Sequence, residues 1–187
     1  MTPTRFLTLG LLALAACSDP TATGRYTVDP APAEKTLPNK LGYAELREVS
    51  LPQYAAGQEI IWQTEDGALR SSPDNVWADD PARAVTLSLA RQISDRSGAT
   101  VIAEPWPLAQ EPARRIEVRI EQMLPRADQV MQLSGVYFVS PAGYGSGRDI
   151  VRRFDLAVPI EAEGPAAIAR AQSQAIALLS QKIAALD

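Results

Sequence analysis

The sequence has no histidine among its 187 residues. Histidine is the usual general base of hydrolytic triads and the commonest protein ligand for zinc, copper and iron. A catalytic site would therefore have to rely on carboxylates, lysine, tyrosine or a cofactor, and no motif in the chain pairs a nucleophile with a base. We predict a protein that is not an enzyme and that holds no metal ion or cofactor.

Long apolar runs and basic clusters are also missing. An uncharged apolar run at residues 6–16 has eleven residues, whereas a membrane-spanning helix needs about 20, and no second apolar run approaches that length. Eighteen Lys and Arg residues stand against 22 Asp and Glu residues, for a formal net charge of −4. An acidic chain without a basic patch argues against nucleic acid as a partner and against electrostatic adhesion to anionic lipid.

The single cysteine, Cys17, stands directly behind that apolar run. A short start carrying Arg5, an apolar run and small residues are typical of a bacterial secretion signal. The ending LAAC, residues 14–17, is similar to a lipobox, in which the cysteine is lipidated on sulfur and the chain is cut before it. The pattern predicts lipidation at Cys17, which leaves no free thiol for a disulfide or a metal.

The predicted cleavage divides the chain into a signal peptide at residues 1–16, a lipidated tether at 17–24 and one domain at 25–187. Several acyl chains would make the anchor effectively permanent. Ser18 occupies the place where aspartate favours retention in the inner membrane of enteric bacteria, and Asp19 follows it. We expect an outer-membrane lipoprotein that faces the periplasm.

Two amphipathic helices are predicted in the domain. The first starts at Asp80-Pro81, a capping residue followed by proline, and ends before Gly98. The second begins at Pro165 and reaches Leu186, with alanine along much of its length.

The remaining pattern favours strands. Residues 115–124 alternate apolar and charged side chains, which is typical of a strand with one wet face. The other strands are predicted at 25–28, 42–49, 58–64, 68–71, 99–103, 129–139 and 149–160. Three consecutive strands in the second half of the chain, together with two amphipathic helices, predict a single α+β domain. We expect a mostly antiparallel sheet with both helices packed on one face.

Two short motifs carry a resemblance to a known family. VSLPQY at residues 49–54 and WADDP at 77–81 follow the lipobox in order. The chain resembles the PqiC-type lipoproteins, the auxiliary lipoprotein components of ABC-type and MCE transport systems. In that family V-x-L-P-x-Y precedes a strand and W-A-x-x-L opens a helix; here Pro81 replaces the aliphatic residue. The resemblance covers nearly all of the chain after Cys17.

The resemblance implies an accessory component that helps to move lipids or other hydrophobic compounds between membranes and so maintains membrane integrity. The implied partners are an MCE-domain protein and an ABC or PqiA-like inner-membrane permease, and the chain itself is a possible homo-oligomer. A regulator from another class stays open as the alternative, a lipoprotein that activates an envelope or cell-wall enzyme by protein contact.

Three further residues are candidates for the site: Pro52, Tyr54 and Trp77. They form either a structural motif or part of a partner interface, and the sequence leaves both open. If Tyr54 is structural, we expect Tyr54→Phe to be nearly silent, because the ring supplies the packing.

Overall fold

A computed structural model describes residues 22–143 and 147–187; the predicted signal peptide and Cys17 lie outside this part of the chain. Its elements, in chain order, are β1 Gly24–Tyr26, β2 Tyr43–Leu46, a 3₁₀ turn Gln53–Ala55, β3 Glu59–Gln63, β4 Leu69–Trp77, α1 Pro81–Ser97, β5 Thr100–Ala103, β6 Arg114–Pro125, β7 Val130–Pro141, β8 Ile150–Pro159 and α2 Pro165–Ala185. Within the described ranges, neither helix combines the length and apolar character that a membrane span requires.

Five strands form the main sheet in the order β5-β2-β6-β7-β8. Strand β2 runs parallel to β5 and β6, and β7 is antiparallel to both of its neighbours. Helix α1 packs against β5 and α2, and α2 packs against β7 and β8. The predicted α+β domain with two helices on one face of a sheet is confirmed, although parallel pairs make the sheet mixed.

A second sheet, β1-β4-β3, was not foreseen. The sequence predicted that residues 68–71 alone pair back on β3, but β4 continues to Trp77 because β1 joins it in parallel at Asn75 and beyond. Pro73 lies where the β3–β4 register shifts, a place that tolerates the missing N–H of proline.

The helix boundaries follow their sequence signals. The Asp80 carboxylate accepts a hydrogen bond from the Arg83 N–H at 2.9 Å, and Gly98 ends α1 in the left-handed conformation with φ of 69°. Helix α2 begins with Pro165 behind Gly164 and has no side-chain cap.

An extended segment, the strap (residues 28–40), lies along both helices. Its hydrogen bonds join Asp29 to Ser173 and Arg91, Ala31 to Gln92, Leu37 to Arg96, and Lys40 to Ala185. Gln92 is completely buried beneath it. The strap therefore covers a second face of α1, next to the stripe of Val85, Leu89 and Ile93 that is buried in the core.

The order of the elements gives the domain two distinct ends. The entry end carries Ala22 and β1, the smaller sheet, the 126–129 turn and the connection 160–164. The far end carries the starts of β2 and β5, the loop 104–113, the end of β7, the start of β8 and the end of α2. The strap runs from the entry end to the far end. The described chain therefore begins at the entry end, and its first main-sheet strand, β2, begins at the far end.

The face of the main sheet away from the helices is wet, as the alternation in residues 115–124 predicted. Arg119 pairs with Glu117 at 2.6 Å, and Arg153 on β8 pairs with Glu121 at 3.3 Å. The Arg119 guanidinium also lies 5.1 Å from the centre of the Phe138 ring. Exposed ion pairs contribute only about 0–1 kcal/mol each to folding stability. These pairs therefore keep the face solvated but add little to the stability of the domain.

Candidate functional site

The predicted lipidation site, Cys17, lies outside the described residues, but the start of the described chain fixes where a tether attaches. Gly24 stands opposite Asn75 in the β1–β4 ladder, at the entry end. Ala22 is five positions after Cys17, a distance of at most about 18 Å when the chain is fully extended. A lipid on Cys17 would therefore hold the entry end against the membrane.

Pro52 and Tyr54 shape the point where the chain leaves strand β6. Residues 47–50 continue alongside β6 beyond the end of β2, with the Ile120 N–H donating to Ser50 at 2.8 Å. Pro52, with φ of −63°, then turns the chain into the 3₁₀ turn.

Beyond that turn, the Met123 N–H of β6 meets no neighbouring strand of the described chain on this side, and it donates to the Tyr54 hydroxyl at 3.2 Å. The hydroxyl therefore replaces a strand partner next to the bulge between Ile120 and Gln122. This contact corrects the expectation that Tyr54→Phe is nearly silent, because phenylalanine would leave a part-buried N–H without its acceptor.

Trp77 ends β4 and is only 5% exposed. Its backbone N–H donates to the Gln58 carbonyl at 2.7 Å, and its side chain belongs to the main hydrophobic core. Tyr54 is half-buried and packs against the same core. The three motif residues therefore do not form one exposed patch.

A cleft opens at the entry end between the two sheets and the start of α2, with a volume of about 310 Å³. Its apolar lining residues include Ile60, Trp62, Pro125, Ile160, Ala162 and Ile168. The more exposed residues at its mouth include Arg126 and Glu163. The sequence did not predict this cleft, because its walls come from separate segments whose apolar residues each look like ordinary core.

The far end carries an aromatic pair. The rings of Tyr43 and Trp106 meet edge to face with their centroids 6.5 Å apart. The Trp106 Nε1–H donates to the Gln110 carbonyl at 2.7 Å, which closes the loop 104–113 on itself. Leu108 in this loop is 42% exposed and Tyr43 37%. Partly exposed aromatic side chains of this kind are enriched at protein interfaces.

The described residues contain no group of three or more Cys, Asp or Glu side chains placed to hold a metal ion. Burial raises the pKa of Tyr137 to about 12, with nearby Arg152 lowering it and Asp187 raising it. Tyr137 is fully buried, and its hydroxyl donates to the main-chain oxygen of Asp187. Its shifted pKa reflects packing in the core rather than a position in a cleft.

A family model described as ABC-type transport auxiliary lipoprotein component matches residues 26–184. No curated protein matches the sequence. A crystal structure titled only as that of an uncharacterized protein has a TM-score of 0.67 and 22% identity, covering 81% of this chain and 94% of the other. A Xanthomonas campestris protein of the DUF330 family has a TM-score of 0.62 and 17% identity, over 81% and 90% of the two chains. A Paraburkholderia phytofirmans PelC variant, titled as a dodecamer, has a TM-score of 0.46 and 9% identity over 82% and 92%, too little to carry its assembly over to this chain.

Proposed function

The chain belongs to the family of ABC-type transport auxiliary lipoprotein components, as its PqiC-type motifs predicted, and on that premise we propose its role in the cell envelope. The protein is a non-catalytic lipoprotein anchored in the outer membrane, and it serves an MCE or ABC-type system that moves lipids or other hydrophobic compounds between membranes. The family match over almost the whole domain is the observation that carries this proposal. The family is not a known enzyme family.

We assign different roles to the two ends of the domain: membrane attachment to the entry end and partner binding to the far end. A lipid on Cys17, five positions before Ala22, would hold the entry end within about 18 Å of the membrane. The far end, with Trp106, Tyr43 and the exposed Leu108, then points into the periplasm. An MCE-domain protein or permease extending from the inner membrane would meet this end first, so we assign partner binding to it.

Photo-crosslinking in intact cells tests this assignment. A photoreactive amino acid replaces Leu108 at the far end, and the matched control replaces Leu69, which is equally exposed at 43% but lies at the start of β4. We expect the Leu108 position to capture an MCE-domain protein or a permease and the Leu69 position not to do so. Capture of a cell-wall enzyme would support the regulator alternative, and equal labelling at both positions would contradict a far-end partner site.

The anchor has its own test. Cys17→Ala removes the only thiol that can be lipidated, whereas Ser18→Ala leaves it in place. We expect Cys17→Ala to lose its acyl mass and any processed domain to leave the membrane fraction, with Ser18→Ala unchanged in the outer membrane. A Cys17→Ala protein that still fractionates with the outer membrane would show that something other than this lipid holds it there.

A further inference from the structure

The cleft at the entry end has the layout of a site for an amphiphile. Its base is apolar and little exposed: Ile60 is 1% exposed, and Ile160 and Ile168 are 9% exposed. Its mouth is polar, because the charged side chains of Arg126 and Glu163 are exposed to solvent there. Ligand pockets are typically mostly apolar, with a few polar groups, and begin at about 300 Å³. The volume of about 310 Å³ is therefore at the small end of this range, which suits a single narrow ligand.

The position of the cleft indicates where such a ligand comes from. Asn75 lines the cleft and is also the residue opposite Gly24, where the tether enters the fold. A lipid on Cys17 would hold this end within about 18 Å of the bilayer. The cleft is thus on the side of the domain that faces membrane lipid, whereas the aromatic pair is at the opposite end.

We infer that this cleft takes one acyl chain of a membrane phospholipid, whose headgroup stays at the mouth beside Arg126 and Glu163. The inference rests on the membrane anchoring proposed above. A chain that leaves the bilayer must keep its methylenes out of water, and the apolar base of the cleft can cover part of one chain. The Arg126 guanidinium already donates to Asp128 at 2.8 Å, so the mouth offers a polar boundary rather than a strong anion site.

The experiment uses the full-length lipoprotein in its own membrane. Cells take up a fatty acid that carries a diazirine, incorporate it into phospholipid and are irradiated; peptides of the purified protein are then mapped by mass spectrometry. We expect adducts with the mass of a phospholipid on the segments that contain Trp62 and residues 160–168. Phospholipid adducts scattered equally over exposed segments, or none on these two, would overturn the inference.

Two variants of matched exposure sharpen this result. Ala162→Phe fills the cleft from its mouth, and Ala166→Phe adds the same ring on the first turn of α2 outside the cleft. We expect the first to reduce the cleft adducts at least fivefold and the second to leave them unchanged, with equal melting temperatures. Equal adduct yields in both would count against the cleft as the site.

If another molecule occupies the cleft, irradiation gives a different crosslinked product. A cleft peptide joined to the Cys17 peptide would mean that the protein's own anchor fills the site, and a cleft peptide joined to another protein would mean a protein ligand; either result refutes the inference. The proposed transport role is judged separately, because capture of the partner at Leu108 does not depend on the cleft.

Discussion

The hydrogen bond from the Met123 N–H to the Tyr54 hydroxyl makes a sharp prediction for Tyr54→Phe. The substitution removes one oxygen and keeps the ring, so packing is nearly unchanged. The donor belongs to the backbone of β6 and has no other acceptor among the described residues on that side of the strand. A buried N–H that loses its acceptor costs about 1–3 kcal/mol. Because Tyr54 is half-buried and water can approach it, we expect a loss of about 1 kcal/mol in the free energy of unfolding, the lower end of that range.

For a domain of this size, about 1 kcal/mol lowers the melting temperature by about 2–4 °C. Tyr54→Ala also removes the ring from the core, and we expect about 3 kcal/mol, the lower end of the range for large aromatic truncations. Tyr43→Phe is the matched control, because Tyr43 is 37% exposed and its hydroxyl has no hydrogen-bond partner among the described residues.

Thermal and urea unfolding of the three variants beside the wild type would measure these differences. The order of stability should be wild type and Tyr43→Phe, then Tyr54→Phe, then Tyr54→Ala. If Tyr54→Phe melts together with Tyr43→Phe, the hydroxyl does not serve the β6 backbone. A complementation assay on a membrane-permeability defect belongs beside these melts, and Tyr54→Phe should still complement because its role is structural.

Three more predictions follow from the fold. Gly135→Ala should destabilise the domain by about 3 kcal/mol in urea unfolding, since a Cβ there would clash with the backbone carbonyl oxygen of Arg119; an unchanged midpoint would refute this close approach. The fold raises the pKa of Tyr137 to about 12 from an ordinary value of about 10, so its contribution to stability is complete below pH 10 and is lost as pH rises towards 12. Unfolding between about pH 9 and 12 should show a shallower loss in Tyr137→Phe than in the wild type, and parallel curves would contradict it. Membrane tethering raises the effective concentration of neighbouring copies, so we expect a homo-oligomer by sedimentation, and a monomer at high concentration would count against it.

The helices and long strands could be predicted because their signals are local. Asp80, Pro81 and Gly98 bound α1 as predicted, and β7 and β8 form the expected antiparallel pair. The sequence missed the second sheet because β1 pairs with a strand about fifty residues away, and three residues carry no periodicity.

The candidate site was less accessible to sequence reasoning. The acceptor role of Tyr54 depends on Met123, 69 residues further along the chain, and no local pattern encodes that pairing. The cleft was missed for a related reason. Ile60, Ile160 and Ile168 each have the buried apolar character of an ordinary core residue, and only the tertiary arrangement leaves a space between them.

The strap has a mechanical consequence for a protein held by its N-terminus. A pull from the membrane reaches β1 first, and only three residue pairs join β1 to β4 in the described chain. The load then passes to the strap, whose contacts with α1 and α2 follow one another along its length from Asp29 to Lys40. Bonds arranged in such a series break one at a time, so we expect the leading segment to peel away under modest force while the main sheet and both helices stay folded. Peeling residues 22–40 would release up to about 60 Å of chain and would move the point of attachment from the entry end to the far end, where β2 begins.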